Sequence, residues 1–459
     1  MSSLFAVQLK MEDTAGIEFP EGQLITEGDE GESVQAAVAA VTEEEAGIAE
    51  DERGMESLEA DGETLEEVQD AVEVEAPKTE HAGLTQTNAR LLKIVASRVL
   101  GKSYVNRKLP KMEHFAGRAD ARTATTLVAE GIGDALKSFW DALKAQFQKL
   151  WGKVKTWAIK TFSAAKQLAD RAKTIRDRAE SSTATIEKKS FQFGQVKQLS
   201  VNGKLKSVSE FKTALGEVSK LVSATSNVES DKAIENAIEQ MDKIADADGA
   251  GSIKSALIAS IVTSKFDSIT GGSQSDLSDA KLNEALGGGD KGDAEVKVGA
   301  ILPGDKHFAV IKAKEGSDFV KTLRMTRVKF IDTKNKPKEV SGDAEAITLN
   351  PSDIAGFCDI IINAAGEMSD FENSWQKNDK AQDAAIRKID ELVKDALQDN
   401  KDDDNGSNKN EREIRTTATA MTSFIKAVGG IQPQVAAFAV PVFAATLNWC
   451  EGSMRNYKK

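Results

Sequence analysis

Leu136, Trp140, Leu143, Phe147, Leu150, Val154, Trp157, Thr161, Ala165, Leu168, Ala172, Ile175 and Ala179 follow one another at steps of three and four residues, with no proline between them. A stripe of that period lies along one side of a helix and has to be buried against another element. The spacing therefore predicts a long helix that buries this stripe against a partner helix. Three of the five tryptophans, Trp140, Trp151 and Trp157, crowd this segment and supply much of its buried surface.

The other side of the same helix carries Lys144, Lys149, Lys153, Lys155, Lys160, Lys166, Arg171, Lys173, Arg176 and Arg178. Lysines on a helix ordinarily serve as a solvated face. Here they belong to a larger imbalance, because residues 87–190 hold 22 Lys and Arg against nine Asp and Glu, a net +13. Residues 1–86 hold 24 acids against Lys10, Arg53 and Lys78, a net −21. Residues 191–459 contribute −5 to the overall −13. A clustered positive potential attracts polyphosphate and releases its counterions, so the basic segment suits an anionic partner. Without a helix-turn-helix or ribonucleoprotein-type motif, such binding would not read bases.

The charge steps divide the chain into three. Residues 1–86 read as an acidic, largely disordered, propeptide-like leader, because high charge with little to bury leaves disorder or lone helices such as VQAAVAAVTEEEAGIAEDE, and it is not expected to join the core. Residues 87–190 read as a basic segment with the long amphipathic helix. Residues 191–459 read as a helical domain with a small antiparallel β-sheet near 294–349, built from AEVKVGAIL, HFAVIKAK, MTRVKFIDT and EAITLN. Asn202-Gly203 suggests a hairpin turn, and Ser207 with Glu210 a capping box opening a helix. The fold class is thus mainly α with a small sheet, preceded by a disordered acidic leader.

Signatures of catalysis are missing. His81, His114 and His307 stand alone, no phosphate-cradling GxxxxGK[ST] loop occurs, and Cys358 and Cys450 have no CxxC partner, so no cofactor and no metal site is expected. GGGDKGD at 287–293 reads as a plain connection. KDDDNGSNKNER fails as a calcium loop, since Lys401 and Arg412 fall where carboxylates must bind the ion. Asp359, Glu367, Asp370 and Glu372 share one helical block and read as a solvated face. The longest apolar run, 435–447, is 13 residues with a central Pro441; a membrane span needs about 20 apolar residues, so it reads as a core helix. No enzymatic activity and no membrane partner are expected.

The leader repeats a small or aliphatic residue two places before glutamate, as in Ser57-Leu58-Glu59 and Ala71-Val72-Glu73. With the segment FWDALKAQFQKLWGKVKTWAIKTFSAAKQLADRAKTIRDRAE and the following FQFGQVKQLSVNGK, this layout resembles the internal head (prohead core) proteins of large tailed bacteriophages. The likeness is close over roughly residues 130–205. It implies a non-enzymatic virion protein of the capsid interior that meets capsid or core proteins during prohead assembly, in the host cytoplasm, and loses its leader to the prohead protease. That protease cuts after glutamate in (Ser/Ala/Gly)-x-Glu or (Leu/Ile)-x-Glu contexts. Glu59 and Glu73 fit, while Glu75 and Glu80 sit near the charge boundary without fitting. Cutting after Glu73 would change the net charge from −13 to +7; cutting after Glu59 would reach only +1. The basic product would be packaged with double-stranded DNA through non-specific contacts at Lys93, Arg98, Lys102, Arg107, Lys108, Lys111, Arg118, Arg122, Lys153 and Lys155. The rival reading is an ejected effector whose portion 191–459 binds or inhibits a host protein.

Overall fold

A computed structural model of the chain describes residues 35–55, 57–58, 89–90, 93–94, 97, 109–115, 118–183, 185–201, 203–205, 207–245, 255–270, 294–333, 344–399 and 407–458. In chain order the helices are α1 (35–55), α2 (Arg118–Glu180), α3 (Val196–Leu199), α4 (Val208–Ser226), α5 (Ser230–Ala245), α6 (Ser255–Thr263), α7 (Phe319–Met325), α8 (Pro351–Asp399), α9 (Ser407–Gly429) and α10 (Ile431–Met454). The strands are β1 (Ser190–Gln192), β2 (Ala294–Leu302), β3 (Lys306–Ala313), β4 (Arg327–Asp332) and β5 (Glu345–Ile347). The fold is mainly helical with small antiparallel sheets, as the sequence predicts.

The apolar stripe produces α2, 63 residues long and so about 95 Å from end to end. From Trp140 to Ala179 every member of the stripe is buried. Its partner is α8, which runs antiparallel: the Trp151 ring stacks on Trp375 at 5.8 Å, Phe162 meets Phe371 edge-on at 6.0 Å, and Arg176 reaches Asp359 at 3.3 Å. Trp151, Ala158, Phe162 and Ala169 are buried as well, widening the stripe beyond a single seam. That width gives α10 a place, where Arg171 donates to the Asn448 side-chain oxygen at 2.7 Å and to Glu451 at 2.9 Å.

Around this pair the shorter helices close the core. The carboxylate of Glu210 accepts from the Ser207 backbone N–H at 3.3 Å and its hydroxyl at 2.9 Å, so α4 starts at the expected capping box. Phe211 of α4, Phe357 of α8 and Trp449 of α10 meet in one aromatic cluster, with ring centroids 5.3–5.7 Å apart. Helix α10 holds the run 435–447, and its apolar surface is turned inward. The most apolar stretch of Glu413–Met454 would suit a membrane by composition, yet 78% of it is buried. Cys358 and Cys450, 92 positions apart, are neighbours here as buried free thiols. Burial, then the adjoining Cys358 thiol, push the Cys450 thiol well above its ordinary range, so it packs as a neutral group.

The strand-rich region departs from the expected single sheet. β2, β3 and β4 form one antiparallel sheet, but β5 pairs with β1, aligning Phe191 with Ala346. Alternation in the sequence identifies a strand without naming its neighbour, and β1 is too short to register as one. The Asn202-Gly203 turn exists only as an isolated bridge between Val201 and Lys204; Gly203 has a φ of 74°, and a short helix, α3, takes the place of an incoming strand.

Asp305 pins this turn to the β2–β3 connection. It is 2% exposed, adopts a φ of 56°, accepts from the Ser200 hydroxyl at 2.7 Å, and accepts from the Gly203 backbone N–H at 3.0 Å. Asp305→Ala would orphan the Gly203 N–H, leave the Ser200 hydroxyl only the Lys197 carbonyl at 3.0 Å, and retain the left-handed backbone. A loss of about 2 kcal/mol is expected in urea unfolding, while Asp305→Asn should recover much of it.

One helix of the leader departs from the expectation that none of it joins the core. The helix-prone stretch is helical, as α1, but it is docked. Val41, Ile48 and Met55, spaced by sevens, are 0%, 6% and 0% exposed and belong to the same apolar cluster as α2, α8 and α10. The charged residues between them hide this spacing in the sequence. That single cluster continues to Tyr457, so the change at residue 190 is one of charge and not of packing.

Candidate nucleic-acid interface

Most cations of the α2 row are paired with acids. Lys149 and Lys153 of α2 both contact Asp51 of α1, at 2.9 and 2.6 Å, and Lys160 contacts Glu44 at 2.6 Å. Residue numbers rise along α1 as they fall along α2, so the two helices are antiparallel, and each acid meets a lysine by register. Lys153 also lies 3.5 Å from the Gly47 carbonyl. The leader helix thus brings both an apolar seam and complementary charge to one face of α2.

Other members of the basic row turn toward α8 and α10. Lys144 and the Trp140 indole N–H converge on Asp390, joined there by Lys394 at 2.8 Å. Lys155 pairs with Asp379 at 2.8 Å, which also accepts from the Trp151 indole N–H at 2.8 Å. Arg171 pairs with Glu451, Arg176 with Asp359 and Asp177, and Lys173 with Asp170. Lys166 and Arg178 are the members of the row with no ion pair among the described residues. The sequence does not reveal this, because a period assigns a face and not the partner across it.

Burial works against the charged form of Asp51, but the hydrogen bonds from Lys153 and Lys149 outweigh it and hold this carboxylate below its ordinary range. Asp390 is lowered in the same way: burial opposes the charge, and Lys144, Lys394 and the Trp140 N–H overcome it. A depressed carboxylate adds stability above its unfolded value of about 3.9, and that contribution fades as pH falls through the lower folded value. Docking of α1 should therefore hold from neutral pH down to about pH 4 and weaken below it. Hydrogen exchange across 35–55 as a function of pH would read this, and Asp51→Asn should remove its share of the acid sensitivity. Loss of protection between pH 7 and pH 5 would contradict the assignment.

Of the contact residues expected from sequence, Lys153 and Lys155 are engaged by Asp51 and Asp379. Lys93 is half-buried, with its ammonium pKa lowered by burial, and Lys111 is exposed beside the 3-10 turn Met112–Phe115. Arg118 and Arg122 fall in the first turns of α2. Arg98, Lys102, Arg107 and Lys108 lie outside the described residues, as do the cleavage candidates Glu59, Glu73, Glu75 and Glu80. Nothing in the sequence singles out Glu44 and Asp51 from the other acids of the leader, yet both sit on the side of α1 that faces α2.

The acids of the 351–399 block do not converge on a site. Asp359 is committed to Arg176, and no group of three His, Cys, Asp or Glu among the described residues could hold a metal ion. His307 is buried in the sheet, its Nδ1 2.9 Å from the Gly299 carbonyl oxygen.

A family model for phiKZ-like phage internal head proteins matches residues 34–452. The match begins one residue before α1 and so takes in the docked leader helix together with the core. No curated protein and no solved structure matches the chain.

Proposed function

Since the chain belongs to the phiKZ-like phage internal head proteins, a family of the phage head interior, we propose that its acidic leader is a removable cover for a DNA-binding face on α2. In the prohead the leader keeps Lys149, Lys153 and Lys160 occupied while protein is gathered into the core. The prohead protease then severs the leader, and the uncovered product lies against packaged double-stranded DNA. The observation that carries this reading is the pairing of Asp51 and Glu44 with those three lysines. Each freed ammonium offers a phosphate contact with no sequence preference.

Glu73 is the favoured cut. Proteases take extended, exposed chain, whereas Ser57 and Leu58, the residues before Glu59, are helical, and Leu58 packs against the core. Cutting after Glu73 also carries the net charge across zero, to +7. Cutting unlinks α1 from the body, so its docking becomes bimolecular and is lost on dilution. Mass spectrometry of the protein recovered from native particles tests the cleavage: a chain beginning at Val74 is expected, and an intact Met1 would overturn it.

A further inference from the structure

A second basic surface forms where the last residues of the chain return to the segment after α2. The Glu187 backbone N–H donates to the Asn456 carbonyl at 2.8 Å, the Lys458 N–H donates to the Thr185 carbonyl at 2.8 Å, and Ile186 and Tyr457 form an antiparallel bridge. Backbones paired in this way lie about 5 Å apart. The register sets Lys458 across from Thr185, so Lys458, Lys188 and Lys189 are spread along one edge, with the exposed Glu187 on the same segment. All three lysines are exposed, and none has an ion pair among the described residues. Most of the α2 row, by contrast, is neutralised by internal acids.

The edge is held firmly. Tyr457 is buried, and its hydroxyl donates to the Leu349 carbonyl at 2.8 Å. The Thr348 N–H donates to the Lys189 carbonyl at 2.9 Å, tying the same segment to the end of β5. Charges fixed on an ordered backbone lose less freedom on binding than charges on a loose tail. Ion pairs place the leader helix against Lys149 to Lys160, toward the middle of α2, and among the described residues none links it to this edge.

The geometry points to this C-terminal edge as a contact surface for the phosphate backbone of duplex DNA, away from the lysines that α1 occupies. It rests on the reading of the protein as a DNA-associated head protein and adds the place of contact. Ammonium groups recognise the phosphates as point charges, so no base preference follows. The protein's overall negative charge does not forbid this, because charges beyond about 8–10 Å are screened near physiological salt.

The test uses the full chain with one engineered protease site after Glu73, measured before and after cleavage against a duplex of arbitrary sequence over a salt series. The triple variant Lys188→Ala, Lys189→Ala, Lys458→Ala should flatten the slope of log K against log salt by about three units in both preparations. A charge-matched control, Lys220→Ala, Lys243→Ala, Lys380→Ala, scatters its changes over three helices and should leave the slope unaltered. Circular dichroism checks that both variants fold. Equal flattening by the two triples would overturn the proposal in favour of net charge alone. An unchanged slope in the edge triple would overturn it while leaving DNA association intact. Failure of both parent preparations to bind DNA would remove the functional reading together with this surface. Binding of the edge to anionic lipid vesicles but not to duplex would overturn it in favour of a membrane.

Discussion

Cleavage after Glu73, with the leader separated, should make DNA binding tighter and more salt-sensitive, steepening the slope of log K against log salt by about three units. Three lysines are released, Lys149, Lys153 and Lys160, and each phosphate neutralised adds roughly 0.9 to the slope. Between about 50 and 200 mM salt the cleaved form would lose roughly 40-fold more affinity than the intact chain. The shift from −13 to +7 alone would raise the affinity at low salt, but distant charges are screened at moderate salt. A variant separates the two causes. Val41→Asp with Ile48→Asp puts carboxylates into the apolar seam of α1, whose wild-type residues are 0% and 6% exposed. Burying unpaired charge is costly, so the helix should leave its seat without any cut. That uncleaved variant is still more acidic than the parent, yet its slope should move toward that of the cleaved form. Equal slopes for intact and leader-free protein would refute the cover.

The same helix shows where reading from sequence stops. The α2 stripe could be placed in full, because twelve apolar residues and Thr161 keep the helical period over 44 positions. In α1 only Val41, Ile48 and Met55 carry the buried seam, and seven-residue steps among glutamates resemble the background of an acidic tract. Composition makes the leader opposite in charge to the basic segment. It does not show that the two are matched side chain by side chain, since α1 and α2 are separated by 62 residues that carry no sign of the register. The C-terminal edge is hidden for a related reason: Lys188 and Lys458 come to one edge only through backbone bonds between remote segments. Local pattern decides elements, and long-range pairing decides sites.

Trp449→Ala should give the largest loss of stability, about 4 kcal/mol in urea unfolding. Trp449 is fully buried, and its ring meets Phe211 of α4 at 5.3 Å and Phe357 of α8 at 5.7 Å. Its indole N–H donates to the Ile347 carbonyl of β5 at 2.8 Å, so one side chain joins three helices and a strand. Truncation removes the aromatic surface, opens a cavity and takes the indole donor from the Ile347 carbonyl. Trp449→Phe retains most of the surface and loses the hydrogen bond, for about 1–2 kcal/mol. Ile159→Ala, at a residue 60% exposed on α2, should stay within about 0.5 kcal/mol. The order of the three variants tests whether α10 is a core helix, which demands a steep penalty at Trp449. Were Trp449→Ala no worse than Ile159→Ala, α10 would not be packed between α4 and α8, and the core on which α2 is mounted would have to be redrawn.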